Sequence, residues 1–76
     1  MALHHSQKTH EDLVARLPRV TGRDLSEWLR ALDEGPAFLR FDDRVNWLRS
    51  EFGLPHGHAT AIVHEYDLQR AQRNLG

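Results

Sequence analysis

Apolar residues recur at intervals of three and four along most of the chain, a spacing typical of helices with one buried face. Glycine and proline interrupt this pattern at Gly22, Gly35, Pro36, Gly53 and Pro55. Between these breaks we expect helices over about residues 9–21, 24–33, 42–52 and 57–72. No segment alternates with a period of two over a useful length, so no β-sheet is predicted.

Local signals define several helix ends. Thr9 is a plausible N-cap of the first helix, and Pro18 predicts a kink or an early end there. Asp24, followed three residues later by Glu27, approximates a capping box for the second helix. The Gly35–Pro36 pair ends that helix, and Gly53 stops the third helix.

These elements predict an all-α fold, a compact orthogonal bundle of four short helices. The expected organisation is a flexible N-terminal segment over residues 1–8, a single helical domain over 9–72 and a frayed C-terminus over 73–76. A chain of 76 residues supports one hydrophobic core. We expect that core to contain Leu13, Leu17, Leu25, Trp28, Leu29, Leu32, Val45, Leu48, Phe52, Ile62, Val63 and Tyr66; Trp47 lies off the apolar stripe of its helix.

Composition excludes some classes of protein without identifying a function. The chain has no cysteine, which excludes disulfide scaffolds and zinc sites with cysteine ligands. It has no apolar run approaching about 20 residues and no signal-peptide pattern, so we expect a cytoplasmic protein that does not enter the membrane. The net charge of −1 makes nucleic-acid binding less expected.

The run from Trp47 to His64, WLRSEFGLPHGHATAIVH, resembles the small bacterial domain known as domain of unknown function family 4287. That family shows a Trp-Leu-Lys-x-Glu-Phe-Gly-Leu-Gly-His-Gly-His-Ala run followed by an apolar helix. Thr21-Gly22 with Glu27-Trp28 resembles its upstream Thr-Gly…Glu-Trp element. The resemblance covers roughly residues 10–66.

This chain departs from the family pattern at two places. Pro55 stands where the family usually has glycine, and Arg40-Phe41 stands where a Lys-His pair often precedes the third helix. If that histidine serves a family activity, its absence argues against assigning the activity to this chain. The resemblance implies a helical domain and assigns no function.

The junction between the third and fourth helices is the candidate site, with Glu51, His56, Gly57 and His58 as its residues. A helix N-terminus presents free N–H groups that attract anions, and Gly57 permits close approach of a ligand. Two imidazoles beside such groups could bind phosphate or carboxylate. The structural alternative is that Gly57 allows tight helix packing and the histidines cap backbone groups.

We expect no metal and no cofactor, and the sequence assigns no catalytic residue. His58 and His64 are six residues apart, which separates them by about 9 Å along a helix and prevents a shared ion. His56 and His58 could chelate only with a further ligand, such as His4, His5 or His10. Whether the protein is an enzyme stays open.

Three functions follow from these features. The leading one is a small non-enzymatic binding or interaction module, acting on an unknown protein partner or by self-association. The second is a nucleic-acid-binding domain similar to a helix-turn-helix, in which four residues near the start of the last helix face a groove: His58, Thr60, Ala61 and His64. The third is an anion, metal or catalytic site formed by the junction histidines.

Overall fold

The computed structural model describes residues 7–37 and 40–75. Four α-helices follow one another in these ranges. Their bounds are α1 Gln7–Thr21, α2 Leu25–Glu34, α3 Phe41–Phe52 and α4 His56–Leu75. Residues 1–6 lie outside the described part, so the expected flexibility of segment 1–8 stays a prediction, although α1 already includes Gln7 and Lys8.

Helix α4 is the central element of the fold. It packs against each of the other three helices, and α1 also packs against α2. The described residues contain no strand, and the molecule measures 35 × 30 × 20 Å along its principal axes. The prediction of an all-α bundle of four helices is confirmed.

Helix α1 begins earlier than predicted and reaches the predicted end at Thr21. It begins upstream of Thr9, so the N-cap assigned to Thr9 is wrong; Gln7 and Lys8 are good helix formers and extend the helix. The helix also continues past Pro18 to Thr21 instead of ending early. Its last turn is held by fully buried Leu17, whose carbonyl accepts a 2.7 Å hydrogen bond from the Thr21 hydroxyl.

The ends of α2 and α3 follow local rules. Asp24 caps α2 and forms the predicted capping box with Glu27: the Asp24 carboxylate accepts from the Glu27 N–H at 3.0 Å. Gly53 ends α3 at a φ of 70°, and its N–H donates to the Arg49 carbonyl at 2.9 Å. Such a left-handed cap favours glycine because glycine has no Cβ to clash with the backbone.

The core lies where α4 meets the other helices. Most residues predicted for it are buried or packed against it, while Leu13 and Leu29 are only half-buried. Three buried apolar residues are absent from the predicted core, since Leu54 follows a helix and alanines give a weak periodic signal: Leu54, Ala59 and Ala61.

Trp47 packs at the edge of the core against a glycine. A Cβ placed on Gly35 would lie 2.6 Å from the Trp47 Cη2 atom and 3.0 Å from the Ala31 carbonyl oxygen. The indole also makes an edge-to-face contact with Phe52, with ring centroids 5.3 Å apart. Gly35 therefore makes room for the indole, beyond its role in ending α2.

Candidate functional site

An open groove lies where the α1–α2 connection meets the α3–α4 loop. Its volume is about 330 Å³. We name it the junction groove, and its lining residues are Val20, Thr21, Arg23, Trp28, Phe52, Gly53, Leu54 and Pro55. The groove therefore combines residues that are more than 30 positions apart in the sequence.

The floor of the junction groove is aromatic and fixed in place. Trp28 and Phe52 make an edge-to-face contact with centroids 5.1 Å apart, and Trp28 is only 2% exposed. The Trp28 indole N–H donates to the Thr21 hydroxyl at 3.0 Å. The same hydroxyl donates to the Leu17 carbonyl in the last turn of α1. The Thr21 side chain therefore links the end of α1 to the aromatic floor of the groove.

The rim of the junction groove combines apolar surface with a cation. Val20 is 51% exposed, a large fraction for a valine in so small a domain. The Arg23 guanidinium carbon lies 5.1 Å from the Trp28 ring centroid and 5.3 Å from that of Phe52. Both distances are within the range of cation–π attraction, so the rings hold the charge at the rim.

A second open cavity, of about 450 Å³, lies on the other side of the α3–α4 loop. It shares Gly53 and Leu54 with the junction groove. Its other lining residues are Asn46, Arg49 and Ser50. Since Leu54 is 7% exposed, the loop between the two cavities is anchored in the core.

The predicted junction residues lie beside this groove but do not line it. Glu51 is exposed on the last turn of α3, and His56 is exposed at the start of α4, with its Nε2 atom 3.5 Å from the Thr60 hydroxyl. Gly57 is exposed, and a Cβ there would meet nothing within 4 Å. Tight helix packing therefore does not explain Gly57.

His58 differs from its exposed neighbours. It is half-buried, and its Nε2 atom is inaccessible to solvent without a hydrogen-bond partner among the described residues. Within residues 7–37 and 40–75, no hydrogen bond or ion pair joins His56 or His58 to Glu51, so the structure does not gather these three side chains into one cluster.

A different histidine pair converges, which the sequence reasoning missed. His10 is 6% exposed, and its Nε2 atom donates to the Glu65 carboxylate at 2.7 Å. The His64 ring contacts His10 edge to face at 5.1 Å, and both line a cavity of about 200 Å³. The available signal was that His10 continues the apolar stripe of α1, three and seven residues before Leu13 and Leu17.

Tyr66 forms the centre of a third polar group. Its hydroxyl donates to the Asp33 carboxylate at 2.9 Å, and the guanidinium carbons of Arg44 and Arg70 lie 5.3 and 5.6 Å from its ring centroid. Burial, followed by the bond to Asp33 and the charge of Asp33, raises the pKa of Tyr66 above its ordinary value. This group lines a cavity of about 370 Å³.

Two findings concern metals and membranes. Over residues 7–37 and 40–75, no group of three or more histidine, aspartate or glutamate side chains is arranged to hold a metal ion. In the same ranges no helix combines the length and apolar character needed to cross a membrane. His4 and His5, named above as further metal ligands, lie outside the described residues.

The fold and its polar contacts thus define a four-helix, all-α domain centred on α4. The chain belongs to DUF4287, a family described as a domain of unknown function, whose model matches residues 9–68. Comparisons with curated proteins and with solved structures find no match.

Many residues in the segments that resembled this family have a structural role. Thr21 and Trp28 bond to each other, Gly22 has a φ of 82°, and Gly53 caps α3. Leu54 and Ala59 are buried. His56 and Gly57 have no comparable role in the fold, since both are exposed and Gly57 has open space around it.

Proposed function

We propose that this domain is a non-enzymatic binding module that contacts a protein partner through the junction groove. The observation that carries the proposal is exposed Val20 beside an aromatic floor and a stacked Arg23. Aromatic residues and arginine are enriched where protein interfaces derive most of their binding energy. The bacterial, cytoplasmic setting expected from the sequence is part of this proposal.

The experiment replaces the exposed valine with a neutral polar residue. Val20→Gln should retain the fold, because the side chain is half in solvent, and should weaken capture of partners from native cell extract. Leu68→Gln is the matched control, since Leu68 is 44% exposed on α4 and lies outside the groove. Amide chemical shifts of the captured complex should change around Val20, Phe52 and Leu54.

The opposite pattern would contradict the proposal. If Leu68→Gln abolishes capture while Val20→Gln leaves it unchanged, the interaction surface is the exposed end of α4. Size-exclusion chromatography with light scattering separates self-association from binding of another protein, because only self-association changes the mass of the isolated chain.

The junction residues extend the proposed surface. Pro55 forms a wall of the groove and His56 follows it, so we extend the proposed surface from the groove toward His56 and Gly57, with Glu51 and half-buried His58 beside it. His56→Ala is the cleaner test, since His56 is exposed while His58 is half-buried. Loss of binding with an unchanged melting temperature would support the His56 contact; an unchanged affinity would confine the interface to the groove.

Nucleic-acid binding is the second candidate function, and one contact assigned to it is blocked. Ala61 is 1% exposed and therefore cannot face a nucleic-acid groove as the helix-turn-helix interpretation required. A salt-dependent mobility shift with mixed DNA would favour this candidate over the protein-binding module.

A further inference from the structure

We infer that the partner segment is a short acidic peptide with a hydrophobic anchor residue; the inference rests on the proposed function of the junction groove. The apolar side of the groove would bind the anchor, and the arginines on either side of the α3–α4 loop would bind its carboxylates. This inference specifies the chemistry of the partner, which the proposed function leaves open.

The apolar surface available to an anchor lies around the rim. Val20 and Pro55 are exposed and Phe52 is half-buried, whereas Trp28 is almost entirely covered. A hydrophobic side chain placed among the first three would remove apolar surface from water without moving the core. A peptide needs only one such residue, because the groove is about 330 Å³.

The charge at the rim is not neutralised by the domain itself. Within the described ranges, Arg23 and Arg49 form no ion pair, while the carboxylate next to Arg23 is occupied: Asp24 accepts from the Glu27 N–H at 3.0 Å and from the Ser26 hydroxyl at 2.9 Å. The Glu27 carboxylate in turn accepts from the Asp24 N–H at 3.3 Å. A guanidinium offers five N–H donors that match a carboxylate, so Arg23 favours an acidic ligand.

The two cavities extend this charge pattern across the loop. Arg23 lies in the junction groove and Arg49 in the second cavity, with Gly53 and Leu54 shared between them. A peptide lying across the loop would therefore meet a cation on each side. Glu51 is exposed nearby on α3 and disfavours a ligand that extends in its direction.

A single-stranded nucleic acid fits the groove less well. Such ligands stack their bases on aromatic faces, and Trp28 is 2% exposed with Arg23 over its ring. The net charge of the chain is −1, which opposes a polyanion more than a short peptide. A short acidic peptide therefore fits the groove better than a single-stranded nucleic acid does.

The experiment uses fluorescein-labelled synthetic peptides and fluorescence anisotropy on the full chain. The probe is Glu-Asp-Ser-Phe-Glu-Asp, which carries one hydrophobic anchor. One matched peptide has glutamine and asparagine in place of the acids, and another has serine in place of the phenylalanine. We expect the probe to bind about 10-fold more tightly than either matched peptide, since charge-assisted hydrogen bonds and apolar burial each contribute that much.

Variants of the chain identify the cation that binds the probe. Arg23→Gln should weaken binding of the probe about 10-fold and leave the weak binding of the amide peptide unchanged. Arg23→Lys should recover part of the loss, because it retains charge but not the planar fork. Arg30→Gln is the control, since Arg30 is 79% exposed on α2 and pairs with Glu34; if Arg23→Gln fails to fold, Arg49→Gln replaces it.

Failure of the inference is distinguishable from failure of the proposed function. Equal affinity for the acidic and amide peptides, with both lost in Val20→Gln, overturns the inference and leaves the protein-binding groove intact. Absence of binding by every peptide also overturns the acidic-peptide inference. The capture experiment with Val20→Gln then tests independently whether the groove binds a protein. Tighter binding of a labelled oligothymidylate at the same residues overturns both.

Discussion

At the scale of single residues, hydrogen bonds at helix ends determine where helices begin and how neighbouring helices meet. The Thr21 hydroxyl is the clearest example. It donates to the Leu17 carbonyl and accepts from the Arg23 N–H and the Trp28 indole, so one side chain closes α1 and positions α2. Asp24 then caps α2 with its carboxylate, and protonation of that carboxylate in acid weakens the cap.

Asp24 should make part of the folding stability depend on pH. The N–H of Glu27, followed by the Ser26 hydroxyl, holds the pKa of the Asp24 carboxyl below its ordinary value. A lowered pKa in the folded state gives stability that is present above the unfolded value of about 3.9 and is lost as pH falls through the folded value.

The matched variant is Asp24→Asn, because asparagine caps helices well but does not titrate in this range. We expect wild type to melt at a higher temperature than the variant at neutral pH, and the difference to shrink as pH falls below about 4. A difference in melting temperature that stays constant between neutral and acidic pH would contradict the conclusion that the Asp24 charge stabilises the fold.

Gly35 should not tolerate a methyl group. The Cβ of Gly35→Ala would press on Trp47 and the Ala31 carbonyl, and Trp47 is held by Phe52. We expect a loss of about 1–3 kcal/mol in the free energy of unfolding, the usual cost of overpacking. Gly57→Ala is the control, since its Cβ meets open space; it should be neutral or slightly stabilising. Chemical denaturation followed by tryptophan fluorescence measures both.

Tyr66 should titrate at unusually high pH. Burial and Asp33 raise its pKa, so the neutral phenol stabilises the fold below the unfolded value of about 10, and this contribution is lost as pH rises through the folded value. The chain contains one tyrosine, so near-ultraviolet absorbance of the phenolate reports it directly. Asp33→Asn should lower the midpoint; an unchanged midpoint would show that Asp33 contributes little.

At the scale of helices, polar side chains join α4 to its neighbours. His10 of α1 bonds to Glu65, and Arg44 of α3 lies 3.5 Å from Asp67. These contacts supplement the apolar packing of α4 against each of the other three helices. The His10–Glu65 pair is the more buried of the two, and such a pair is costly to break because the remaining partner loses its hydrogen bond.

The His10–Glu65 pair should show energetic coupling. A double-mutant cycle with His10→Ala and Glu65→Ala should give a coupling energy of about 0.5–3 kcal/mol, because the side chains are 8% and 24% exposed. The same cycle on Arg30 and Glu34 is the control; that pair is 79% and 72% exposed, and about 0–0.5 kcal/mol is expected. Equal coupling in the two cycles would show that burial adds nothing to the His10 contact.

At the scale of the whole molecule, stability depends on a small core. The fully buried side chains with the largest volumes are Leu17, Leu48, Ile62 and Val63. They come from α1, α3 and α4, so the loss of any one affects packing between helices. A domain of this size has little surplus stability to absorb such a loss.

Leu48→Ala should destabilise the fold by about 2–5 kcal/mol, because it removes a fully buried side chain and leaves a cavity. This is a large share of the roughly 5–15 kcal/mol available to a folded domain. Leu68→Ala, at a side chain that is 44% exposed, should change stability by less than about 0.5 kcal/mol. Urea denaturation compares the two; similar losses would contradict the placement of Leu48 in the core.

The family resemblance is densest around the α3–α4 junction, and the structure places the groove beside that junction. The residues that line the groove nevertheless differ from those that the sequence predicted for the site. The sequence pointed to His56, Gly57 and His58, because a helix start, a glycine and imidazoles are visible in three consecutive residues. The groove beside them depends on Val20 and Arg23, which are more than 30 residues away. No local pattern marks those two residues as its neighbours.

The sequence by itself determined the four helices, the capping box at Asp24, the cap at Gly53 and most of the core, because caps and 3.6-residue periodicity act within a few residues. Tertiary structure alone decided that His10 meets Glu65 across 55 positions and that Trp47 rests on Gly35. Those contacts depend on how the helices pack against each other, and the spacing of residues along one helix does not specify that packing.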